Sequence, residues 1–321
     1  MTTALPGDLP GAGVRSEAGT DPAVAAEALP FVSVIIPVYN DNSRLQTCLG
    51  ALTSQTYPAD RFEVIVVDNG SAPPVDGNVR PGPNVCIVLE ARPGSFIARN
   101  TGLAAARGDV IAFTDADCYP EPRWIEAGIA AIGSSRVIVA GHVEAFPVLP
   151  DAPTVAERFE MLFGFEQEKN AARGVSVTAN LICHREAFED AGVFNTESHS
   201  AHDYEWCRQA VRCGYRVVYV RDAAVRTPAR RSLAALALKV RRISGAQYVR
   251  GRRRKELWAH RRGALRNMRP PLRRMARVLS QPGIGAWQHR AALCCFLMAL
   301  PVVYAIEWAR MEAGLGRAER R

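Results

Sequence analysis

Short runs of continuous apolar residues alternate along the chain with segments in which apolar residues recur every three or four positions. The runs at 31–39, 62–68 and 110–114 are rich in β-branched residues and too short for buried helices, so they predict strands covered on both faces. Between the first two, residues 45–52 place apolar side chains at the i, i+3, i+4 and i+7 positions of a helix. This order predicts a parallel sheet with right-handed crossovers.

The same alternation continues through the next 150 residues. Further strands are predicted at 85–90, 135–147 and 215–220, helices at 95–108, 154–170 and 203–213, and a strand or turn followed by a short helix within 175–194. The pattern therefore predicts an α/β fold with a mainly parallel, Rossmann-like central sheet flanked by helices.

Three of the predicted strands end in polar residues. The first runs into Tyr39 and Asn40, the second ends at Asp68, and the fourth delivers Asp115 and Asp117. In open α/β sheets, ligands bind in the crevice beyond the carboxyl ends of the strands. We therefore expect these side chains to line one ligand site.

Asp115 and Asp117 have the spacing of side chains that point to the same face of a strand, roughly 6 to 7 Å apart. Two carboxylates so placed repel each other unless a cation lies beside them. Mg²⁺ or Mn²⁺ bound to a diphosphate meets that need, because these ions combine one or two carboxylates with phosphate oxygens and water. A solvated turn at the end of a strand is the alternative, since Asp is common in turns.

Four segments carry a resemblance to a known family. In this order, "SVIIPVYN", "VIVVDNGS", "ARNTGLAAARGDVIAFTDADC" and "HDYEWCRQAVRCGY" resemble successive motifs of the inverting family 2 glycosyltransferases of the GT-A fold. The resemblance implies that Pro37, Tyr39 and Asn40 line a nucleotide pocket and that Asp68 meets the base.

The resemblance also assigns the remaining site residues. It implies that Asp115 meets the ribose or a metal-bound water, that Asp117 binds the metal bridging the diphosphate, and that Asp203 is the general base for the acceptor hydroxyl. Arg99 and Asn100 are added as residues that steady the nucleotide, since arginine recognises oxyanions. Asp203 is also a favourable residue at a helix start, and both roles are compatible.

Two positions depart from the family pattern. His202 stands where family members commonly carry Glu, and Thr227, within "VRTPAR", stands where many carry a histidine that reaches the metal or diphosphate. Threonine is a poor ligand. The metal would then rely on Asp117, phosphate and water, or on His199 or His202, although a histidine near a loop is more often only solvated or hydrogen-bonded.

Charge divides the chain unevenly. Residues 226–290 contain 19 Lys and Arg but only one acidic residue, Glu256; this segment carries +18 within a chain of net charge +8, which leaves −10 for the rest. The sequence thus predicts a disordered leader at 1–30 and a catalytic domain at 31–228, with a nucleotide-binding half at 31–118 and an acceptor half at 119–228. A basic helical extension follows at 229–321 and contains an apolar segment at 291–309.

The basic segment and the apolar segment that follows it allow three interpretations. Binding to an anionic membrane surface is the interpretation that suits the combination best. A helix that covers the core is the second interpretation, and nucleic-acid binding is the least favoured. Arginine-rich segments beside a membrane stay on its inner side, so we expect the protein to lie at the cytoplasmic face of the cell membrane. It would be attached there peripherally or by one C-terminal membrane segment.

Neither the leader nor the cysteines change this interpretation. Residues 1–30 lack a basic stretch followed by an apolar core, so they do not predict a signal peptide. The eight cysteines form no C-x-x-C pair and mostly sit in apolar contexts, which is typical of reduced thiols in a cytosolic protein.

The expected function is transfer of a single sugar from a UDP- or GDP-linked donor to an acceptor hydroxyl with inversion, assisted by Mg²⁺ or Mn²⁺. Single-sugar transfer is favoured because the "Q-x-x-R-W" motif of processive synthases is absent. The expected acceptor is a sugar or a lipid-linked glycan of envelope polysaccharide, glycolipid or exopolysaccharide assembly. A nucleotidyltransferase and a non-catalytic membrane adaptor remain alternatives. A nicotinamide dehydrogenase would need a G-x-G-x-x-G motif after the first strand, which the sequence lacks.

Overall fold

The computed structural model describes residues 29–133, 136–196, 202–241, 243 and 271–313. Its strands, numbered in chain order, are β1 Val32–Val38, β2 Phe62–Asp68, β3 Val85–Leu89, β4 Val110–Thr114, β5 Tyr119–Pro120, β6 Val137–Phe146, β7 Asn180–His184 and β8 Arg216–Pro228. They form one sheet in the order β3-β2-β1-β4-β7-β6-β8-β5. The predicted leader, except for its last two residues, and most of the arginine-rich stretch before residue 271 lie outside the described residues.

Helices cover both faces of this sheet and continue beyond it. They are α1 Asn42–Leu52, α2 Ser95–Ala105, α3 Trp124–Ile132, α4 Val155–Phe163, α5 Gln167–Ala171, α6 Glu186–Ala191, α7 His202–Arg212, α8 residues 233–241, α9 Leu272–Ser280 and α10 Trp287–Glu312. Short 3₁₀ turns occur at Ala59–Arg61 and Pro282–Ile284. The α/β class predicted from the apolar pattern is confirmed.

The direction of the strands divides the sheet into two halves. β3, β2, β1 and β4 are mutually parallel, whereas β7 is antiparallel to both of its neighbours, β4 and β6. β8 then runs parallel to β6, and the short β5 pairs antiparallel with β8. The sheet is therefore more mixed than the mainly parallel arrangement we expected, because a buried strand has the same apolar pattern in either direction.

Glycines allow α2 to lie close to the sheet. A Cβ on Gly102 would lie 2.5 Å from Cγ2 of Ile35, so only glycine permits this approach to β1. The helix ends at Ala105, three residues before Gly108, which we expected to terminate it. Gly108 instead packs on β1, where its N–H donates to Ser33 Oγ at 2.8 Å and a Cβ would lie 2.6 Å from the carbonyl oxygen of Phe31.

The predicted helix at 154–170 is two helices. Thr154 and Glu157 form a capping box at the start of α4, which ends at Phe163. Gly164 separates it from the five-residue α5. The apolar period alone did not detect this break, because apolar positions recur on both sides of it.

Beyond β8, the extension packs on α4. Phe163 belongs to a buried cluster with Val278 of α9 and Leu293 and Leu297 of α10. Glu160, also on α4, accepts hydrogen bonds from the backbone N–H and Nη1 of Arg230 and from Nζ of Lys239, at 2.7 to 2.9 Å. The residues beyond β8 and helix α4 therefore share apolar and ionic contacts.

Candidate active site at the carboxyl ends of the strands

The parallel half of the sheet brings the polar strand ends together. Val38 lies in register with Asp68, and Ile35 of β1 lies in register with Phe113 of β4. Residues that follow β1, β2 and β4 consequently meet at one edge. Tyr39 lies there with 53% of its surface exposed, which leaves its ring open to a ligand.

Asp68 and Asn40 shape the loop beside this edge. The two carboxylate oxygens of the buried Asp68 accept from the N–H groups of Ser71 at 2.8 Å and Val75 at 2.9 Å. Asn40 adopts a left-handed conformation, with φ of 53°, and its Oδ1 accepts from the N–H of Ala72 at 2.7 Å. Pro37 lies half-buried in β1. These residues fix the loop that borders the expected nucleotide pocket.

Arg99 links α2 to the aspartates. Its side chain is buried, its Nη2 forms an ion pair with Asp115 Oδ1, and its Nη1 donates to the carbonyl oxygen of Ser95 at 3.3 Å. The guanidinium also lies 5.0 Å from the ring centroid of Phe96. Arg99 therefore holds the Asp115 carboxylate in place and balances part of its charge.

Asn100 makes a different set of contacts. Its Nδ2 donates to the carbonyl oxygen of Phe194 at 2.8 Å, and its Oδ1 accepts from the N–H of the same residue at 3.1 Å. Both ends of the amide are thus used by the backbone of one residue. In this structure Asn100 anchors the segment before residue 197 instead of extending its amide toward Asp115.

Asp117 lies at this edge in surroundings that disfavour its charge. Burial and the neighbouring Asp115 raise the pKa of Asp117 to about 6, against the opposing effects of Arg230 and Arg44. One ligand atom from each of Asp115, Asp117 and Cys118 lies within 4.8 Å of the others. Burial raises the pKa of the Cys118 thiol well above its usual value, so the thiol stays protonated. The two carboxylates therefore fit a hard divalent cation, whereas the thiol does not.

Asp203 joins the same site from α7. Its Oδ1 accepts from the N–H of Tyr204 at 2.8 Å. The pKa of Asp203 is raised, chiefly by burial and to a smaller extent by the negative charge of Asp115, whereas Arg99 acts in the opposite direction. The fold thus brings Asp203 within electrostatic reach of the Arg99–Asp115 pair. A carboxylate whose pKa is raised toward neutrality is suited to proton abstraction.

The structure also places the two departures from the family pattern. Thr227 is buried in β8, in register with Ala145 of β6. His202 is buried at the start of α7, and its ring packs edge-on against Phe96 at 5.1 Å between centroids. His199 lies outside the described residues.

Two cations near Asp117 were missed from the sequence. Arg230 is only three residues beyond Thr227, and Arg44, in the first turn of α1, pairs with Asp41 Oδ2 at 3.1 Å. Both lower the pKa of Asp117. Arg230 stands inside "VRTPAR", which drew attention because of Thr227, but a local pattern does not show which arginine faces a carboxylate distant in sequence. Arg92, by contrast, is paired with Glu90 at 2.7 to 2.9 Å.

Comparisons with known proteins agree with this geometry. The family described as Glycosyl transferase family 2 matches residues 33–190. Glycosyltransferase AglE from Haloferax volcanii is 39% identical over 209 residues, which cover 63% of this chain and 68% of that protein. Pre-mycofactocin glycosyltransferase from Mycobacterium tuberculosis is 30% identical over 200 residues, covering 59% of this chain and 40% of that protein.

A solved structure shows the same fold. Mannosyltransferase PcManGT from Pyrobaculum calidifontis, in complex with GDP-Man and Mn²⁺, aligns with a TM-score of 0.57 and 20% identity over 88% of both chains. The sheet and its flanking helices thus have a GT-A-like fold. On the strength of the similarity to AglE and the family match, the chain belongs to glycosyltransferase family 2.

Proposed function

We propose that the enzyme transfers a single sugar from a UDP- or GDP-linked donor to an acceptor hydroxyl with inversion, and that Asp203 takes the proton of that hydroxyl. The observation that carries this proposal is the convergence of Asp203, Arg99 and Asp115 at one edge of the sheet. A single displacement needs a base opposite the departing diphosphate, and a half-buried carboxylate with a raised pKa is suited to that role.

The donor side of the reaction is assigned to the strand ends. Pro37, Tyr39 and Asn40 border the nucleotide, and Asp68 meets the base. Arg99 keeps Asp115 oriented through their ion pair. Asn100 acts indirectly, by positioning Phe194.

The metal proposal rests on the two carboxylates of Asp115 and Asp117. They would hold Mg²⁺ or Mn²⁺, which stabilises negative charge on the departing nucleotide diphosphate. The raised pKa of Asp117 supports this assignment, because a nearby divalent cation would offset the repulsion between the two aspartates. The GDP-Man and Mn²⁺ bound to the Pyrobaculum enzyme support the same choice of ligands.

Arg230 is proposed to provide the positive charge that a histidine supplies in many relatives. Thr227 is buried, whereas the guanidinium of Arg230 lowers the pKa of Asp117. Glu160 fixes Arg230 through two hydrogen bonds, at 2.7 and 2.8 Å. Arg230 would thus face the diphosphate from the side of the extension.

The acceptor is proposed to be a sugar or a lipid-linked glycan at the cytoplasmic face of the cell membrane. Among the described residues, α10 is long and apolar enough to cross a membrane. The net +18 of residues 226–290 favours an anionic surface. Nucleic acid is not expected as a partner.

A donor screen tests the proposal. Thermal shifts are measured for UDP- and GDP-linked sugars with and without Mn²⁺, because a ligand that binds only the native state raises its apparent stability. NMR of the product then reads the anomeric configuration. We expect one nucleotide class to stabilise the enzyme in the presence of Mn²⁺ and the anomeric configuration to invert.

Two variants and a control complete the test. Asp117→Asn should lose the Mn²⁺-dependent shift, and Asp203→Asn should keep it but lose turnover. Asp60→Asn is the control, because the side chain of Asp60 is 81% exposed and belongs to the 3₁₀ turn before β2. Full turnover of Asp203→Asn would exclude Asp203 as the base.

A further inference from the structure

Helix α10 buries one face against the protein. Its buried residues recur at the spacing of a single helical stripe: Leu293, Leu297, Leu300, Glu307 and Met311. Leu293, Leu297 and Leu300 pack with α4 and α9, and the ring of Phe296 meets Phe159 edge-on at 5.0 Å between centroids. Glu307 accepts from Nε of Arg241 in α8. This face is therefore covered by the protein over most of its length.

The opposite face of α10 is also apolar. A second stripe at the same spacing, half a turn away, is exposed along its whole length and contains no charged residue: Ala291, Cys295, Met298, Val302, Ile306 and Ala309. Val302 is 53% exposed and Ile306 is 56% exposed. The stripe is about 27 Å long at 1.5 Å per residue. A helix whose outer face meets water normally carries polar residues there.

The partnered face argues against a spanning helix. If α10 crossed the bilayer, Leu293 and Leu297 would leave their contacts with α4 and α9. Buried Glu307, whose Oε2 accepts from Arg241 Nε at 3.1 Å, would enter or approach the hydrocarbon. A carboxylate there is costly.

The surroundings of the outer stripe fit the interface of an anionic bilayer. Trp287, 73% exposed, lies at the start of α10, and interfacial helices carry tryptophan on the side that enters the membrane. On α9, Leu272 and Leu279 are exposed on the same helix as Arg273. Arginines beside outward apolar residues favour anionic headgroups.

We infer that α10 lies in the plane of the membrane, with its inner face on the catalytic domain and its outer stripe, Ala291 to Ala309, in the headgroup and acyl boundary of an anionic bilayer. This inference rests on the proposed membrane association and is independent of the sugar transferred. The catalytic domain and the C-terminus would lie on the same side of the bilayer.

The first experiment measures flotation of the full chain with phosphatidylcholine vesicles, with and without phosphatidylglycerol. The test variant combines Met298→Ser, Val302→Ser and Ile306→Ser. The matched control combines Val148→Ser, Leu149→Ser and Val211→Ser, which remove exposed apolar residues from the catalytic domain. We expect binding to the anionic vesicles only, a loss of at least tenfold in the test variant, and control binding equal to wild type.

The second experiment determines the orientation. Sealed inside-out membranes carrying the full chain with a C-terminal tag are treated with protease, and parallel samples are washed with alkaline carbonate. An in-plane helix predicts digestion of the tag together with the catalytic domain and release by carbonate. A protected tag and resistance to carbonate would overturn the inference in favour of a spanning helix.

A third outcome identifies a different occupant of the stripe. Binding to neither type of vesicle, with a concentration-dependent dimer that the test variant abolishes, would assign the stripe to a second copy of the chain and overturn the inference. Transfer to a soluble acceptor is measured on the same samples, so failure of the membrane inference is distinguished from failure of the proposed glycosyl transfer.

Discussion

Asp117 and Asp203 of the strand-end site differ from several buried glutamates elsewhere in the molecule. Burial raises the pKa of Asp117 to about 6 and also raises that of Asp203. Burial acts in the same direction on Glu160, but Lys239 and Arg230 outweigh it and lower the pKa of that carboxyl.

Two further buried glutamates, Glu90 and Glu63, follow Glu160. Hydrogen bonds from Arg92 and Thr101 hold the pKa of Glu90 at about 2. Ser33 and Arg107 outweigh the burial of Glu63 and lower its pKa. These glutamates have their charge balanced by partners in the fold, which is expected of structural groups. Asp117 and Asp203 have less compensation, which is typical of groups that bind a cation or accept a proton.

The largest expected effect is on turnover. Asp203→Asn keeps an oxygen that accepts from the N–H of Tyr204 but cannot accept a proton. We expect kcat to fall by about 10² to 10⁴, the usual contribution of a general base, with donor binding unchanged. Single-turnover kinetics and donor titration measure the two effects. Loss of donor binding with kcat preserved would instead assign Asp203 to the donor pocket, and Asp203 would then no longer contrast with the structural glutamates as a proton acceptor.

Glu160→Gln should destabilise the fold. Removal of one partner from a buried ion pair costs about 3 to 5 kcal/mol, and the partial exposure of Arg230 and Lys239 reduces the expected loss to about 2 to 3 kcal/mol. Urea unfolding measures the free energy. Glu144→Gln is the control, because Glu144 is 60% exposed and pairs with Arg226 at 3.6 Å. Equal stability of Glu160→Gln and wild type would mean that Glu160 is not a structural carboxylate.

Asp117→Asn should stabilise the fold, in contrast to Glu160→Gln. Because the folded pKa of Asp117 is raised, its contribution to stability is present below the unfolded value near 4 and is lost as pH rises through about 6. At pH 7.5 without divalent ions, the variant should therefore be more stable by about 1 to 3 kcal/mol, at about 1.4 kcal/mol per pKa unit. The gain should vanish near pH 4. A variant less stable than wild type at pH 7.5 would contradict the raised pKa.

The smallest effect is expected for Cys118→Ala. The buried thiol stays protonated, so the affinity for Mn²⁺ should change by less than about twofold, with a loss of stability of about 1 kcal/mol. Isothermal titration with Mn²⁺ measures the affinity. Cys183→Ala, which removes another buried thiol, is the matched control. A tenfold loss of affinity only in Cys118→Ala would add the thiol to the metal ligands.

The sequence predicted the parallel half of the sheet well. The strand ends at Asn40, Asp68 and Asp115 meet because β1, β2 and β4 are adjacent and parallel, which the strand–helix–strand order favours. It predicted the second half less well. The reversal at β7 and the break at Gly164 have no signature in the apolar period, and the assigned catalytic roles stay predictions.

The amino-acid sequence by itself determined the strands, the acidic residues at their ends and the apolar segment of the extension, because these depend on local periodicity and composition. Only the tertiary structure decided that Arg99 pairs with Asp115 near Asp203, that Glu160 holds Arg230, and that α10 has one apolar face covered and one exposed. These features join residues distant in the chain or depend on which neighbour covers a face. Packing supplies that information, and a local pattern does not contain it.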